Sequence, residues 1–111
     1  MPFVTVKNLE SDKLDQIARP IIDRLVEASG APAKLFRVFE GGRLVAAGDD
    51  TNIVWVEVIM YPRPQDQMQK MAAALTELVM SVSNPDSVHV IFLSISGYEY
   101  HYRNGEISRL Q

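Results

Sequence analysis

Hydrophobic residues follow two different periods along this chain. Four segments show the two-residue alternation or the continuous apolar run that is typical of β-strands. These segments are residues 2–6, 35–39, 53–61 and 88–95. Two further segments, residues 14–28 and 68–82, repeat apolar side chains every three or four positions, which predicts two amphipathic helices.

Turn-forming residues separate these segments. Ser11 is the predicted N-cap of the first helix, and Gly30 followed by Pro32 is expected to end it. Pro20 lies inside this helix, and because the apolar stripe continues through it we expect one kinked helix rather than two. Residues 41–52 are rich in glycine and aspartate, which predicts a loop.

The order of the predicted elements repeats. Strand, helix and strand in the first half of the chain are followed by strand, helix and strand in the second half. Two such βαβ halves form a four-stranded sheet with two helices on one face. Asn104-Gly105 adds a C-terminal β-hairpin, which carries Tyr98, Tyr100 and Tyr102 on one face. We predict a single domain over residues 1–111, of the α+β class, an α/β two-layer sandwich.

Two predicted strands are apolar on both faces. In residues 53–61, Trp55 and Ile59 point to one side, whereas Val56 and Val58 point to the other. Residues 88–95 show the same two-sided pattern. Strands of this kind need cover on both faces, and two helices cover only one. We therefore predict an obligate homo-oligomer, in which another copy of the chain covers the second face.

Composition narrows the classes of partner. A net charge of −3 and a pI near 5.3 argue against nucleic acid, which binds basic surfaces. No apolar run is long enough to span a membrane, and no signal peptide opens the chain, so we expect a cytoplasmic protein. The lack of cysteine excludes disulfides and thiolate catalysis. His89 and His101 have no partners at metal-ligand spacing, so we predict no metal.

Pro2 is the candidate catalytic residue. If Met1 is removed, the nitrogen of Pro2 becomes a free secondary amine, and such a terminal amine titrates at about 7.7–8.0 in water. Burial disfavours the charged form and lowers the pKa, which suits a general base near neutral pH. If Met1 stays, the nitrogen is a tertiary amide and cannot act as a base.

Arginines and tyrosines are the candidate binding residues. Arg37 interrupts an apolar strand, so it either pairs with a carboxylate of a neighbouring chain or anchors a substrate carboxylate through its planar fork. Arg63, between two prolines, is either a solvated surface charge or a second anchor. Tyr98 and Tyr100 either pack against a neighbouring subunit or bring a hydroxyl to the pocket.

Three features together resemble the tautomerase superfamily, which includes 4-oxalocrotonate tautomerase and macrophage migration inhibitory factor (MIF). They are Pro2 at the start of a strand, the doubled βαβ order, and the Ala-Pro-Ala-Lys-Leu-Phe-Arg-Val stretch at residues 31–38. The closer resemblance is to a bacterial tautomerase-like branch of unassigned function. That branch shares residues 56–58, Arg63 ahead of the second helix, and a tyrosine-rich C-terminal hairpin.

The resemblance implies a homotrimer and a cofactor-independent keto-enol tautomerase, an isomerase acting on a small carboxylate substrate. In the family the N-terminal proline, Pro2 here, moves a proton between oxygen and carbon of an enol or α-keto acid. Arg37 matches the arginine that holds the substrate carboxylate. Leu44 or Val45 stands where 4-oxalocrotonate tautomerase has an aromatic residue in its apolar wall.

The chain also departs from the family pattern. No arginine precedes the first helix, and Ala31 stands where MIF-like members have a lysine. These departures favour an alternative function, a non-catalytic oligomer that binds a ligand or a partner and retains the fold. Pro2 together with Arg37 favours the enzyme.

Overall fold

The computed structural model describes residues 2–108, apart from the side chain of Tyr98, and Met1 lies outside the described residues. Four strands and two long helices are followed by a short hairpin. In chain order these are β1 (Phe3–Lys7), α1 (Ser11–Ser29), β2 (Arg37–Glu40), β3 (Ile53–Met60), α2 (Gln65–Val82), β4 (Ser87–Ser94), β5 (Tyr102–Arg103) and β6 (Glu106–Ile107). Single 3₁₀ turns at Ala33–Leu35 and Tyr98–Tyr100 precede β2 and β5.

The four long strands form one mixed sheet in the order β2-β1-β3-β4. β1 pairs in parallel with β2, β3 pairs in parallel with β4, and β1 and β3 run antiparallel in the centre. Each parallel pair is joined by one helix, so the doubled βαβ arrangement predicted from the hydrophobic pattern is confirmed. β5 and β6 form the separate two-stranded hairpin.

The first helix is continuous through Pro20. Its buried residues Leu14, Ile17, Ile21 and Leu25 recur at helical spacing on both sides of the proline, and packing of this stripe offsets the lost backbone hydrogen bond. Gly30 ends the helix in the left-handed conformation, at φ 74°, and its N–H donates to the carbonyl of Val26 over 2.8 Å. One helix rather than two is therefore confirmed.

Both helices cover the same face of the sheet. The side chains of β1 and β3 that point toward the helices are at most 1 % exposed, as are the central apolar residues of both helices. These core residues include Val4, Val6, Val54, Val56, Val58, Met60, Ile21, Leu25, Met71, Leu75 and Val79. These residues form the centre of the hydrophobic core.

The second face of the sheet has no helix against it, and we call it the open face. It is formed by the residues that alternate with the core positions of the four strands. The open face consists of Phe3, Thr5, Lys7, Arg37, Phe39, Ile53, Trp55, Glu57, Ile59, Ser87, His89, Ile91 and Leu93. The prediction that β3 and β4 are apolar on both faces is confirmed.

Three local predictions were wrong. The N-cap of α1 is Glu10, because the hydroxyl of Ser11 donates to the carboxylate of Glu40 instead of capping its own helix. The second strand begins at Arg37 rather than at residue 35, since the preceding 3₁₀ turn donates the N–H of Phe36 to the carbonyl of Ala33.

The hairpin is the third difference, because it is shorter than predicted. Tyr100 donates its N–H to the carbonyl of Gly97, which closes a 3₁₀ turn, and only Tyr102 of the three tyrosines lies in a strand. The tyrosines therefore do not form a stripe on one strand face. The Asn104-Gly105 turn itself is present, with φ values of 54° and 83°.

Candidate functional site

Pro2 lies buried at the beginning of β1. Its carbonyl accepts a hydrogen bond of 3.3 Å from the N–H of Arg37, the first residue of β2. Because the two strands are parallel, they begin at the same end of the sheet, and the register sets Phe3 beside Arg37. Two of the residues predicted for the site, Pro2 and Arg37, are thus brought together.

Arg37 carries its guanidinium on the open face, where the residue is exposed. Its Nη1 donates to two main-chain carbonyls, those of Lys34 at 3.1 Å and of Phe36 at 2.9 Å. None of the ion pairs among residues 2–108 includes Arg37. A guanidinium has five N–H donors in a planar fork, so these contacts fix the side chain and leave donors for an anion.

Arg63 has a different environment. It is half-buried, and its Nη1 donates to the carbonyl of Ser29 at 3.1 Å and to Oε1 of Gln67 at 3.4 Å. The contact joins the last residue of α1 to the first turn of α2. Arg63 thus satisfies a carbonyl that the helix end leaves without an intrahelical donor.

Leu44 and Val45 lie far from Pro2 within one subunit. They belong to the exposed loop at residues 41–52, which follows β2 at the opposite end of the sheet, and Val45 is 80 % exposed. A strand advances about 3.3 Å per residue, so the length of β1 separates this loop from Pro2. Leu44 and Val45 line a cleft of about 640 Å³ together with Lys7, Ile53 and Trp55.

The predicted tyrosines Tyr98 and Tyr100 lie in the 3₁₀ turn that precedes β5. Tyr100 is 68 % exposed, and the side chain of Tyr98 lies outside the described residues. Tyr61, which follows β3, lies at the Pro2 end of the sheet. Its hydroxyl lies 2.8 Å from Nδ1 of His101, and the two rings are 5.9 Å apart.

Tyr61 was not among the predicted site residues, although the sequence contained a signal for it. It ends the alternating run that carries Trp55 and Ile59, so it was expected to point to the same side as those two residues. It also comes directly before Pro62, where the strand must stop. His101 was considered only as a metal ligand, and its hydroxyl partner is 40 positions away in sequence.

Lys7 and Glu57 form an ion pair in the middle of the open face. Nζ of Lys7 is 2.9 Å from the carboxylate of Glu57, which also accepts a 3.0 Å hydrogen bond from the indole N–H of Trp55. The hydrogen bond from Lys7 holds the pKa of Glu57 below its usual value of 4.5, and Trp55 acts in the same direction, whereas burial opposes both. The Trp55 ring stacks on His89, with ring centroids 5.7 Å apart.

Residues 2–108 offer neither a metal-binding cluster nor a membrane-spanning helix. Within residues 2–108, no three histidine, aspartate or glutamate side chains gather closely enough to hold a metal ion. In the same range, no helix combines the length and the apolar character that crossing a membrane requires.

Comparison with known families identifies the chain. The family model described as a domain of unknown function (DUF1904) matches residues 1–107. The chain belongs to the DUF1904 family. No curated protein matches it in sequence.

Solved structures extend the comparison to the fold. The DUF1904 domain from Sebaldella termitidis has a TM-score of 0.82 at 22 % identity, covering 95 % of this chain and 97 % of its own. Pt0534 inactivated by 2-oxo-3-pentynoate has a TM-score of 0.78 at 23 % identity, covering 96 % of both chains. A wild-type fused 4-OT, described as an asymmetric trimer, has a TM-score of 0.80 at 17 % identity and covers 97 % of both chains.

These similarities extend over nearly the whole of each chain. They confirm that this DUF1904 protein has the tautomerase-superfamily fold, which the sequence resemblance implied. At such low sequence identity they establish the fold alone.

Proposed function

We propose that this DUF1904 protein is a cofactor-independent tautomerase in which Pro2, made N-terminal by removal of Met1, is the general base. The observation that carries the proposal is the buried position of Pro2 at the sheet end, hydrogen-bonded through its carbonyl to the main chain of Arg37. The substrate class is a small enol or α-keto acid. No cofactor takes part.

The environment of Pro2 favours a neutral amine. Burial penalises the protonated form, and the guanidinium on the neighbouring strand repels a second positive charge. Both effects lower the pKa of a terminal amine from its ordinary value of about 7.7–8.0. The unprotonated amine then takes a proton from one atom of the substrate and returns it to another.

Arg37 is the proposed anchor for the substrate carboxylate. Its side chain is held by two main-chain carbonyls on the open face, next to the strand that begins with Pro2. A carboxylate bound there would present the C–H carbon next to the ketone to the Pro2 nitrogen. The positive charge of Arg37 also stabilises the enolate as it forms, which lowers the barrier as well as holding the substrate.

We further propose that the protein is a homotrimer in which neighbouring copies cover the open face. Phe39, Trp55 and Leu93 are exposed on that face of one subunit. Sheet faces with large exposed apolar side chains mark interaction surfaces. The similar fused 4-OT is described as a trimer, which supports the same state here. A neighbouring subunit is also the source that would bring Leu44 or Val45 to a Pro2 pocket.

The test is chemical labelling of Pro2. An amine adds to the alkyne of 2-oxo-3-pentynoate because the adjacent ketone accepts electrons, and Pt0534 is described as inactivated by this reagent. We expect intact-mass measurement to show loss of Met1, and peptide mapping to place one equivalent of reagent on Pro2. The matched control is an N-terminally extended protein, whose Pro2 nitrogen is an amide. Equal labelling of both proteins would refute the proposal.

A second candidate is a non-catalytic oligomer that binds a small carboxylate. The contact of Arg63 with Ser29 favours this function. Because Arg63 holds the end of a helix, it does not provide a second anchor for a substrate carboxylate in its observed position. In that case Met1 stays on the natively produced protein and Pro2 is not labelled. A carboxylate would still bind in a manner that depends on Arg37.

A further inference from the structure

The cleft beside the loop at residues 41–52 lies at the end of the sheet opposite to Pro2. Its volume of about 640 Å³ falls within the range of roughly 300–1,000 Å³ that is usual for small-molecule sites. Loop residues line one side and open-face residues of β1 and β3 line the other, among them Arg43, Leu44, Val45, Lys7, Ile53 and Trp55. Neither Pro2 nor Arg37 lines it.

Asn8 holds both ends of the loop. Its main-chain N–H donates to the carbonyl of Gly42 over 3.0 Å. Its side-chain amide donates to Oδ1 of Asn52 over 3.2 Å and to the carbonyl of Ile53 over 2.8 Å. Asn8 has a φ of 65°, a conformation that asparagine adopts more readily than most residues. The loop is thus fixed without a ligand, and a preformed site loses less entropy on binding.

Trp55 offers an aromatic surface to the cleft. Lys7, Trp55 and His89 form one row across β1, β3 and β4. His89 stacks on the indole from the β4 side, with ring centroids 5.7 Å apart and ring planes 16° apart. The indole N–H donates to Glu57 over 3.0 Å, which also fixes the ring. The cleft lies toward β1, so the surface of the ring away from His89 faces it.

Arg43 supplies positive charge. The charged residues that line the cleft are Lys7, Arg43 and Asp49. Nζ of Lys7 is 2.9 Å from the carboxylate of Glu57, so its charge is already balanced. Arg43 is exposed, and none of the ion pairs found within residues 2–108 includes it. Its guanidinium therefore keeps its donors for an anion from outside the chain.

We propose that this cleft is a second ligand site, which binds a small aromatic carboxylate. The flat ring of the ligand packs on Trp55 and against Leu44 and Val45, and its carboxylate pairs with Arg43. One cation without a partner suits a singly charged carboxylate better than a doubly charged phosphate. The site goes beyond the function proposed for Pro2 and does not depend on its chemistry.

The cleft lies beside the surface that the proposed trimer would use. Leu93 is level with Ile59 and Phe3 at the Pro2 end of the sheet, and Phe39 is level with Thr5 in the middle of β1. These positions remain for neighbouring copies. The loop end of the open face is instead lined by a loop of the same chain, so one subunit forms the site.

The test is an NMR titration of ¹⁵N-labelled protein with 2-naphthoate. Trp55 is the only tryptophan of the chain, so its indole N–H gives one signal that reports from the cleft. We expect a saturable shift of this signal. The matched ligand is 2-naphthamide, which has the same rings and no charge. It should bind about 10-fold more weakly, because it cannot form a charge-assisted hydrogen bond with Arg43.

Arg43→Gln is the variant that decides. It removes the cation from an exposed loop, so the fold should be unchanged, and it should weaken binding of 2-naphthoate by about 10-fold. Binding of 2-naphthamide should stay as in the wild type, a difference that loss of loop structure would not produce. Arg19→Gln, on the exposed side of α1, is the control for loss of one positive charge. Equal affinity of Arg43→Gln and wild type for 2-naphthoate, or no saturable shift, would overturn the proposal.

Trp55→Leu tests the aromatic surface by calorimetry, because this variant lacks the NMR signal. We expect it to weaken binding of both ligands by about 5-fold, since an aromatic pair contributes more than its buried area alone. Unchanged affinity would show that the ring of the ligand does not pack on Trp55, which contradicts the proposed site.

Two measurements separate this cleft from the Pro2 end of the sheet. Arg37→Ala should bind 2-naphthoate with wild-type affinity, and bound 2-naphthoate should not protect Pro2 from 2-oxo-3-pentynoate. Loss of binding in Arg37→Ala, or protection of Pro2, would place the ligand at the Pro2 end and overturn the separate site. If Pro2 is not labelled while 2-naphthoate binds through Arg43, the function proposed for Pro2 fails and this inference stands.

Discussion

The two faces of the sheet are built from the same strands and have opposite environments. On the helix face, Val54, Val56 and Val58 of β3 are at most 1 % exposed, whereas on the open face the alternating residues Trp55 and Glu57 retain contact with solvent. The helix face is completed within one chain. The open face has no helix against it and carries charged side chains, among them Lys7, Arg37 and Glu57.

The helix face should be the less tolerant of charge. Val56→Asp would place an unpaired carboxylate among core side chains, and this penalty is comparable with the entire stability of a domain, about 5–15 kcal/mol. We expect the variant to lack a cooperative unfolding transition by circular dichroism. Val56→Ala, which only removes methyl groups, should fold and lose roughly 2 kcal/mol. A stably folded Val56→Asp protein would contradict the assignment of this face as the core.

A charge on the open face should break the assembly and spare the fold. Phe39 is 47 % exposed in the subunit and contacts the edge of Phe3, so we expect Phe39→Lys to fold. Burying the new ammonium group in a subunit interface should weaken association by at least about 100-fold, near 3 kcal/mol. Light scattering would then report monomers at micromolar concentration.

The control for this variant is Met80→Lys. Met80 is 42 % exposed on α2, away from the sheet, and a lysine there suits the C-terminal end of a helix. Its oligomeric state should equal that of the wild type. If Phe39→Lys also remains oligomeric, the open face is not the subunit interface, and the proposed trimer must use another surface.

Arg37 should show that the open face serves activity rather than stability. We expect Arg37→Ala to lower kcat/KM for enolisation of an α-keto acid by about 10²–10³, because charge on the developing enolate loses its stabilising cation. Arg37→Lys should recover only part of this, since the fork geometry is lost. Arg19→Ala, on the exposed side of α1, is the control for loss of one positive charge.

A different outcome of the Arg37→Ala experiment would assign Arg37 a structural role. The carbonyls of Lys34 and Phe36 that Arg37 contacts belong to a turn near the surface, so the alanine variant should keep its thermal midpoint. If Arg37→Ala instead dissolves the oligomer while activity per folded subunit is unchanged, Arg37 is a structural residue. The anchoring role would then have to be abandoned or moved to Arg63.

The hydrophobic pattern predicted most of the fold because periodicity reports burial directly. The two-residue alternation in β3 identified both faces of the sheet, and the helical stripe through Pro20 correctly indicated one helix. The pattern failed at Ser11 and at Tyr98–Tyr100, where hydrogen bonds decide the structure. The partner of Ser11 is Glu40, 29 positions away, and no local rule predicts such a pair.

The candidate site was predictable in part. Pro2 and Arg37 were each predicted as site residues, and in the structure they lie together because the parallel strands β1 and β2 begin at the same end of the sheet. The contact between Tyr61 and His101 was not predicted, since it depends on the path of the C-terminal segment. That path is set by turns and by the hydrogen bond from Ile95 to Met60, and hydrophobic periodicity carries no information about either.

Replacing Arg63 should lower stability rather than activity, and the effect should be smaller than that of replacing Arg37. Its contact with Ser29 satisfies a carbonyl at the end of α1, and a hydrogen bond from a charged group contributes about 1.5–3 kcal/mol where it is well shielded from water. Arg63 is only half-buried, so we expect Arg63→Ala to lower the free energy of unfolding by roughly 1 kcal/mol. Urea denaturation measures this change. Unchanged stability would return Arg63 to the list of surface or binding residues.

Replacing Glu57 should produce the smallest change in the free energy of unfolding, and this change should depend on pH. The hydrogen bond from Lys7 holds the pKa of the Glu57 carboxyl below 4.5 in the folded protein. A carboxyl group with a lowered pKa stabilises the fold fully above its unfolded pKa, and this contribution is lost as the pH falls through the folded value. The difference in free energy of unfolding between wild type and Glu57→Gln should therefore be constant at neutral pH and decrease below pH 4.5.

Urea denaturation at one protein concentration measures this difference across the pH range. Lys7→Met should remove most of the pH dependence, because the first cause of the lowered pKa is then absent. A difference that grows as the pH falls would mean that Glu57 is destabilising where it stands. The expected decrease in this difference reflects the different electrostatic environments of the two sheet faces. A carboxylate introduced at Val56 would lie among the apolar side chains of the core, whereas the carboxylate of Glu57, one residue further along the same strand, has two donors, the Lys7 ammonium and the Trp55 indole.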